Sequence, residues 1–326
     1  MDVKGRVLSL LRENKGDFIS GEEIAEKAEV SRAAVWKCIK GLRNDGFHIE
    51  AVTNKGYRLI SCEDIISKDG ICSYLDENLR EKINISTIPS TTSTNRLVKE
   101  KATEGEREGY LLASGHQTEG RGRLGRSFYS PSDTGVYMSL LLRPTINPQD
   151  ATLITTAAAV SVCEALEKMG IRDTGIKWVN DIFLNGRKIC GILTEAGFDI
   201  ENNQLSFAVL GIGLNMYEPD GGFPDDIKDI AGAVWRERKE DARNKFIAYF
   251  LNSFYKYYEN IESRRHVKEY SDRCFVLGRE INIINGDTVK RAKAISVDDN
   301  CGLVVELSDG EKAVISSGEI SIRVAE

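Results

Sequence analysis

"HQTEGRGRLGRSFYSP", residues His116 to Pro131, places Gly120, Gly122 and Gly125 in the spacing G-x-G-x-x-G. That spelling marks dinucleotide-binding turns and the glycine-rich loop of protein kinases. This copy also carries Arg121, Arg123 and Arg126. A dinucleotide fingerprint must open a helix and needs an acidic residue about 20 positions on. Here the continuation "RSFYSPSDTG" is turn-rich, and the positions to be filled by the acid hold Thr145-Ile146-Asn147. The kinase reading fails because V-A-I-K, H-R-D and D-F-G are missing, and no G-x-x-x-x-G-K-[ST] occurs either. Glycines let the backbone approach a ligand with N–H groups exposed. Arginines add permanently charged planar forks suited to carboxylate or phosphate. The stretch therefore reads as an anion cradle entered from a strand, Tyr110–Ser114, rather than as half of a Rossmann unit.

Three other stretches hold chemistry. "STTSTNRLVKE" (Ser90–Glu100) sets Ser93, Thr94 and Asn95 at the start of a helical run. Plain helix capping explains Thr94 or Asn95, and a helix start also presents hydroxyls and N–H groups to a polar ligand. "TGIKWVNDIFLNGRKICGIL" (Thr174–Leu193) reads as a strand to Trp178, a turn, then a hairpin about Asn185-Gly186, a strong two-residue hairpin signal. Lys188 follows that turn, close to Gly191, with Lys177 and Asp181 as further candidates. Asp181 serves equally well as a turn residue or a metal ligand. "FAVLGIGLNM" (Phe207–Met216) is an apolar strand broken by Gly211 and Gly213 and ending in Asn215; glycine weakens a strand unless something must come close. "YEPDGGFPDDIKD", from Tyr217, reads as a loop able to act as a lid. Helical and strand patterns alternate from Leu79 to Tyr270, which predicts an α/β or α+β core.

The first sixty residues stand apart. They hold 11 Lys/Arg against 9 Asp/Glu, while the rest holds 33 against 41. Val3–Arg12 has helical spacing, Ser20-x-x-Glu23 is a capping box opening Gly21–Ala28, and Ser31 can cap a third helix ending at Asp45-Gly46. Strands Phe47–Val52 and Tyr57–Ile60 follow, joined by the turn Thr53–Gly56. Three helices and a hairpin make a winged helix-turn-helix. Its third helix carries Arg32, Lys37, Lys40 and Arg43 and no acid, as approach to DNA phosphates requires. Lys55 and Arg58 on the wing can add backbone contacts, and a dimer on a two-part site is the natural partner.

The net charge of −6 argues against wholesale binding to nucleic acid or membrane, without excluding a local basic face. Seven scattered cysteines without C-x-x-C read as reduced thiols. The longest apolar run, Ala151–Cys163, is too short to span a bilayer, and the start has no signal-peptide shape. A cytoplasmic protein with no membrane partner is expected.

Taken together, the segments resemble biotin protein ligases of the bifunctional type that also repress the biotin operon. Gln117-x-x-Gly120-Arg121-Gly122-Arg123-x-Gly125-Arg126 looks like that family's signature, as do Lys177-Trp178-x-Asn180-Asp181 and Arg187-Lys188-x-x-Gly191. The resemblance implies a multi-domain α+β chain. Its parts would be a winged helix at 1–62, a linker or peripheral helix at 63–78, a central mixed-sheet ligase domain (class II synthetase-like) at 79–270, and an SH3-like barrel at 271–326. The tail agrees, with short strands punctuated by Asn285-Gly286, Asp298–Gly302 and Asp309-Gly310.

By the same resemblance, biotin and ATP give biotinyl-5'-AMP, also the co-repressor, and a lysine of a biotin carboxyl carrier protein takes the biotinyl group. Arg121, Arg123 and Lys188 would neutralise charge. Ser93, Thr94, Asn95, Gln117, Gly120, Gly122 and Gly191 would join them around biotin. Arg123, Arg126, Phe128, Lys177, Asn180, Asp181 and Asn215 would hold the nucleotide, with Mg²⁺ bridging phosphates and Asp181 its protein partner. Operator DNA and a second copy of the chain are the other expected partners. Val179 stands where the family often has proline, and Phe128 where a bifunctional relative has tryptophan. Two alternatives stay open: a non-catalytic biotin-sensing repressor, and a lipoate-type ligase on a shared fold.

Overall fold

The computed structural model describes residues 3–14, 16–44, 47–53, 55–61, 64–199, 204–285, 288–316 and 321–324. The expected turn residues Asp45-Gly46, Asn54 and Gly286 lie outside them.

The N-terminal unit has α1 (Val3–Glu13), α2 (Gly21–Lys27), α3 (Arg32–Asn44), β1 (His48–Val52) and β2 (Gly56–Ser61). Ser20 Oγ accepts the Glu23 N–H at 3.0 Å, and Ser31 Oγ accepts that of Ala34 at 3.2 Å. Only half of the capping box forms, because the Glu23 carboxylate bonds Lys27 Nζ instead, at 2.8 Å. Val35, Ile39 and Leu42 of α3 join Leu8, Leu11, Ile24 and Leu59 in a core of their own. That separate core makes the winged helix a domain.

Two short helices follow, α4 (Lys68–Cys72) and α5 (Glu77–Arg80). This stretch is packed down, since Ile71, Leu75 and Leu79 enter the main core. Next come β3 (Asn84–Ile88), α6 (Thr94–Thr103), β4 (Tyr110–Ser114), β5 (Gly135–Leu142), α7 (Ala151–Lys168), β6 (Gly175–Lys177), β7 (Asp181–Leu184), β8 (Arg187–Asp199), β9 (Gln204–Asn215), α8 (Ala242–Tyr258) and α9 (His266–Arg273). The seven strands form one mixed sheet in the order β3-β4-β5-β9-β8-β7-β6, parallel only between β3 and β4.

Strand alternation explains how this sheet makes both a core and a cleft. On one face of β9, Ala208, Leu210, Ile212 and Leu214 pack into the main core, which also holds α7 and α8. On the other, Phe207 and Val209 pack beneath Val98 and Ala102 of α6. The same face continues as Gly211 and Gly213, and there the cleft opens.

The C-terminal unit is a five-stranded antiparallel sheet. Its strands are β10 (Glu280–Asn285), β11 (Thr288–Val297), β12 (Leu303–Leu307), β13 (Lys312–Ile315) and β14 (Ser321–Val324), in the order β13-β12-β11-β10-β14. No pairing joins β13 to β14 among the described residues, so the described form is a sheet where a barrel was expected. Ile281, Ile283, Ala294, Leu303 and Val305 belong to the same core cluster as the seven-stranded sheet. No helix among the described residues is long and apolar enough to cross a membrane.

Candidate active site

The glycine–arginine stretch folds as a tight hairpin loop. Phe128 N–H bonds Gly120 O at 2.8 Å, Gly122 N–H bonds Arg126 O at 2.7 Å, and Arg126 N–H bonds Arg123 O at 3.2 Å. The turn at Arg123–Gly125 has positive φ at Leu124 (56°) and Gly125 (71°). The N–H groups of Gly122, Arg126 and Phe128 thus close the loop on itself. Its arginine side chains line the cleft.

The loop forms one wall of a cleft partly open to solvent. Ser93, Thr94, Asn95 and Gln117 line it, with Arg121, Gly122, Arg123, Arg126 and Phe128 from the loop. Lys177, Asn180, Asp181, Lys188 and Gly191 line the far side. Gly120 and Asn215 line an adjoining hollow instead. A Cβ on Gly120 would sit 2.3 Å from Phe128 O and 2.5 Å from Ser130 Oγ, so its glycine is needed by the loop itself. Asn215 is tied to the segment after β9, giving its Nδ2–H to Gly232 O at 3.0 Å.

The start of α6 is capped from outside. Ser93 occupies the cap position, and its side chain makes no capping bond. Gln117 Oε1 takes the Thr94 N–H at 2.9 Å and the Thr94 hydroxyl at 3.2 Å, while Gln117 Nε2 donates to Ser130 Oγ at 3.1 Å. One amide thus couples the helix start to the glycine loop. Ser130, which sequence reasoning missed, closes the latch by donating to Phe128 O at 2.9 Å.

The strand glycines make room for protein groups. A Cβ on Gly211 would sit 2.1 Å from Asn95 Oδ1, and one on Gly213 would sit 2.5 Å from the Phe128 ring. Asn95 is buried and held by Ser139 Oγ, Leu193 O and Glu195 Oε2.

Lys188 is aimed by a bulge. Residues 188 and 191 would face opposite sides of a regular strand. The β7–β8 register slips between Ile182 and Phe183, which turns Lys188 onto the cleft face. Its Nζ lies 3.4 Å from the place of a Gly191 Cβ and 2.6 Å from Asp181 Oδ1. The lid-like segment is pinned to the same residue: Lys188 N–H bonds Ile230 O, and Gly232 N–H bonds Lys188 O, both at 2.8 Å.

Arg123 donates to Asn180 Oδ1 at 3.2 Å, and Asn180 in turn gives Nδ2–H to Ile192 O at 2.8 Å. Burial lowers the Arg123 pKa, while the neighbouring Asp181 charge supports the cation. The Lys177 ammonium lies 5.9 Å from the Phe183 ring centroid. Behind this segment, Trp178 Nε1–H bonds Cys301 O at 2.9 Å and Tyr270 OH bonds Val179 O at 3.1 Å. The β11–β12 connection and α9 therefore brace the turn that carries Asn180 and leads into β7 at Asp181.

Asp181 is not a ready metal ligand here, because the Lys188 ammonium occupies its oxygen. Among the described residues no three His, Cys, Asp or Glu side chains converge as a metal site. The residues present do not fit a resident ion.

In the DNA-binding expectation, Arg32, Lys37 and Lys40 are exposed on α3. Arg43 instead donates to Ile49 O, at 2.9 Å from Nε, which ties α3 to the wing. Arg58 pairs with Glu50 at 2.5 Å, and both Arg58 and Lys55 lie over the Phe18 ring.

Comparison with known proteins agrees with this geometry. Residues 5–58 match an HTH domain, 87–215 the biotin/lipoate A/B protein ligase family, and 276–323 a biotin protein ligase C-terminal domain. The chain is 34% identical over 317 residues to the bifunctional ligase/repressor BirA of Bacillus subtilis, covering 95% of this chain and 96% of that protein. Identity to the Escherichia coli protein of the same name is 27%, covering 95% of each. The fold matches a biotin protein ligase from Aquifex aeolicus solved with biotin and ATP, with a TM-score of 0.61 and 24% identity over 74% of this chain and 99% of that one.

Proposed function

We infer the function from one premise: the chain belongs to the biotin protein ligase family, in its bifunctional ligase/repressor branch. It is a biotin ligase and a DNA-binding repressor. Biotin and ATP are the small molecules that the family uses.

We propose the following chemistry for its cleft. The biotin carboxylate attacks the α-phosphorus of ATP, the bond to the bridging oxygen breaks, and pyrophosphate leaves biotinyl-5'-AMP. The amine of an acceptor lysine, on a biotin carboxyl carrier protein, then attacks the acyl carbon. AMP departs and the amine loses a proton as the amide forms. The first step brings two anions together, so preorganised positive charge is what lowers its barrier. Arg121, Arg123 and Lys188 supply that charge. The α6 start, with Ser93, Thr94, Asn95 and Gln117, takes the biotin end beside Gly122 and Gly191. Arg126, Phe128, Lys177, Asn180, Asp181 and Asn215 take the nucleotide. Mg²⁺ enters on the phosphates of ATP, an ion that keeps several waters and needs few protein ligands.

One observation supports this reading above the rest: Arg123, Asn180 and Lys188, from separate segments, meet in one cleft beside the α6 start. The test is transfer of biotin to a carrier domain with MgATP, alongside biotin-dependent exchange of pyrophosphate into ATP. Both activities are expected. Binding of biotin without either would favour a sensor, and preference for lipoate would favour the lipoate-type reading.

For repression, we propose that biotinyl-5'-AMP favours a homodimer in the cytoplasm and so raises affinity for a two-part operator. Sedimentation with and without ligand tests the coupling. We assign the units as 1–62, 63–78, 79–270 and 271–326, with the second stretch a packed connector and the last a closed barrel. Proteolytic mapping tests those boundaries.

A further inference from the structure

Trp36 is 59% exposed on α3, the helix that a helix-turn-helix presents to a DNA groove. It stands in line with Arg32 and Lys40, one helical turn away on either side, and flanks the inward row of Val35, Ile39 and Leu42. Lys40 Nζ lies 5.5 Å from its ring centroid, a cation against the face of the indole. Two of the predicted DNA contacts, Arg43 and Arg58, are instead engaged by Ile49 O and Glu50. Arg32, Trp36, Lys37 and Lys40 stand exposed along α3, with Arg43 exposed at its end but tied to the wing. Lysines mostly meet phosphates, which position a protein without reading sequence. α3 carries no acid, so its charge suits DNA.

We propose that Trp36 reads sequence: its indole enters the major groove and packs on the C5-methyl group of a thymine, the apolar feature unique to that base there. This assignment rests on the repressor reading and adds a specificity-determining residue to it. Arg32, Lys37 and Lys40 then set the depth and register at which the ring meets the bases.

The test uses the full chain with biotin and MgATP, selecting from a pool of randomised DNA duplexes. Wild type should enrich a motif with a fixed thymine in each half-site. Replacing that thymine by deoxyuridine, which removes only the methyl group, should weaken wild-type binding about fivefold to tenfold. Trp36→Ala should bind the motif more weakly, be indifferent to the deoxyuridine and accept other bases at that position. Trp36→Phe should keep part of the methyl response. Biotin transfer to a carrier domain should be unchanged in both variants, and their circular-dichroism spectra and melting curves should match wild type, which certifies the folding of the winged helix as well. If Trp36→Ala enriches the same motif and feels the missing methyl as wild type does, the proposal is overturned. It is equally overturned if the variant loses affinity evenly for every sequence, or if its defect is in binding an acidic protein. If wild type enriches no motif, the repressor reading falls and takes this one with it.

Discussion

Arg12, at the end of α1, and Asp241, at the start of α8, join the winged helix to the ligase core through an ion pair of 2.5 Å. The carboxylate is 1% exposed and the guanidinium 12%. Arg12 also donates to Ser73 Oγ and lies over the Tyr74 and Phe47 rings. Next to this pair, Asp64 accepts from Arg243 N–H at 2.9 Å and from Tyr217 OH at 2.5 Å. Tyr217 begins the segment pinned to Lys188, so buried polar contacts lead from the DNA-binding domain towards the cleft.

Removing one partner of a buried pair costs about 3–5 kcal/mol, because the other charge is left uncompensated. Burial already pushes the Asp241 acid up, and Arg12 pulls it back. Without Arg12, folding should favour the protonated acid more strongly, so stability should fall as pH rises above the unfolded carboxylate pKa. We predict that Arg12→Ala is destabilised at neutral pH and less so at pH 5. Its connector at 63–78 should also be cut faster by protease. Urea unfolding at the two pH values checks this; an equal deficit at both would exclude an unpaired Asp241 as the cause.

Gly211 and Gly213 are predicted to be intolerant for different reasons. Gly211→Ala drives a methyl into Asn95, and Gly213→Ala drives one into Phe128. Overpacking of this kind costs about 1–3 kcal/mol. Gly211→Ala should weaken biotin binding by displacing the α6 start, and Gly213→Ala should shift the loop wall. Gly122→Ala, whose Cβ would meet nothing closer than 3.5 Å, should keep wild-type thermal stability. Calorimetric titration with biotin and melting curves of the three variants separate these effects.

Much of this was legible beforehand, because local signals and tertiary structure agreed. Asn185-Gly186 forms the hairpin turn with φ of 50° and 76°, and Ser20 and Ser31 cap as their spacing predicts. The misses share one cause: they depend on how separate elements pack against one another, which local pattern does not encode. Ser93-Thr94-Asn95 reads as self-capping, yet the cap comes from Gln117. The glycines of β9 signal a close approach without saying that Asn95 and Phe128 make it. Nothing near Arg43 reveals that Ile49 O will take its guanidinium. Ser130 looks like any turn serine until Gln117 is placed beside it.

Arg123 should govern retention of the adenylate. Its guanidinium is anchored by Asn180 and half-buried at the turn of the loop, where it can cover a carboxylate–phosphate mixed anhydride. Losing one preorganised donor of this type typically costs roughly 10²–10³ in rate. We predict that Arg123→Ala still binds biotin but releases biotinyl-5'-AMP much faster, seen as radiolabelled adenylate lost during a chase with unlabelled ligand. Wild-type retention would sink this role for Arg123.

His266 should make the junction with the C-terminal sheet sensitive to acid. The ring is fully buried, bonded through Nε2 to Thr156 Oγ1 at 3.0 Å, with Cys301 Sγ at 3.9 Å. Burial pushes its pKa down to about 4 from the usual 6.5. The unfolded chain therefore binds a proton between those values that the folded chain refuses. This contribution is fully present above pH 6.5 and is lost as pH falls towards 4, with a total of about 3 kcal/mol at 1.36 kcal/mol per pKa unit. His266→Gln should be less stable at pH 7, since Thr156 loses a fitted partner. Its stability should nonetheless fall less steeply than wild type between pH 6.5 and 4. Urea midpoints across that range decide the matter, and parallel slopes would mean that His266 does not titrate with unfolding.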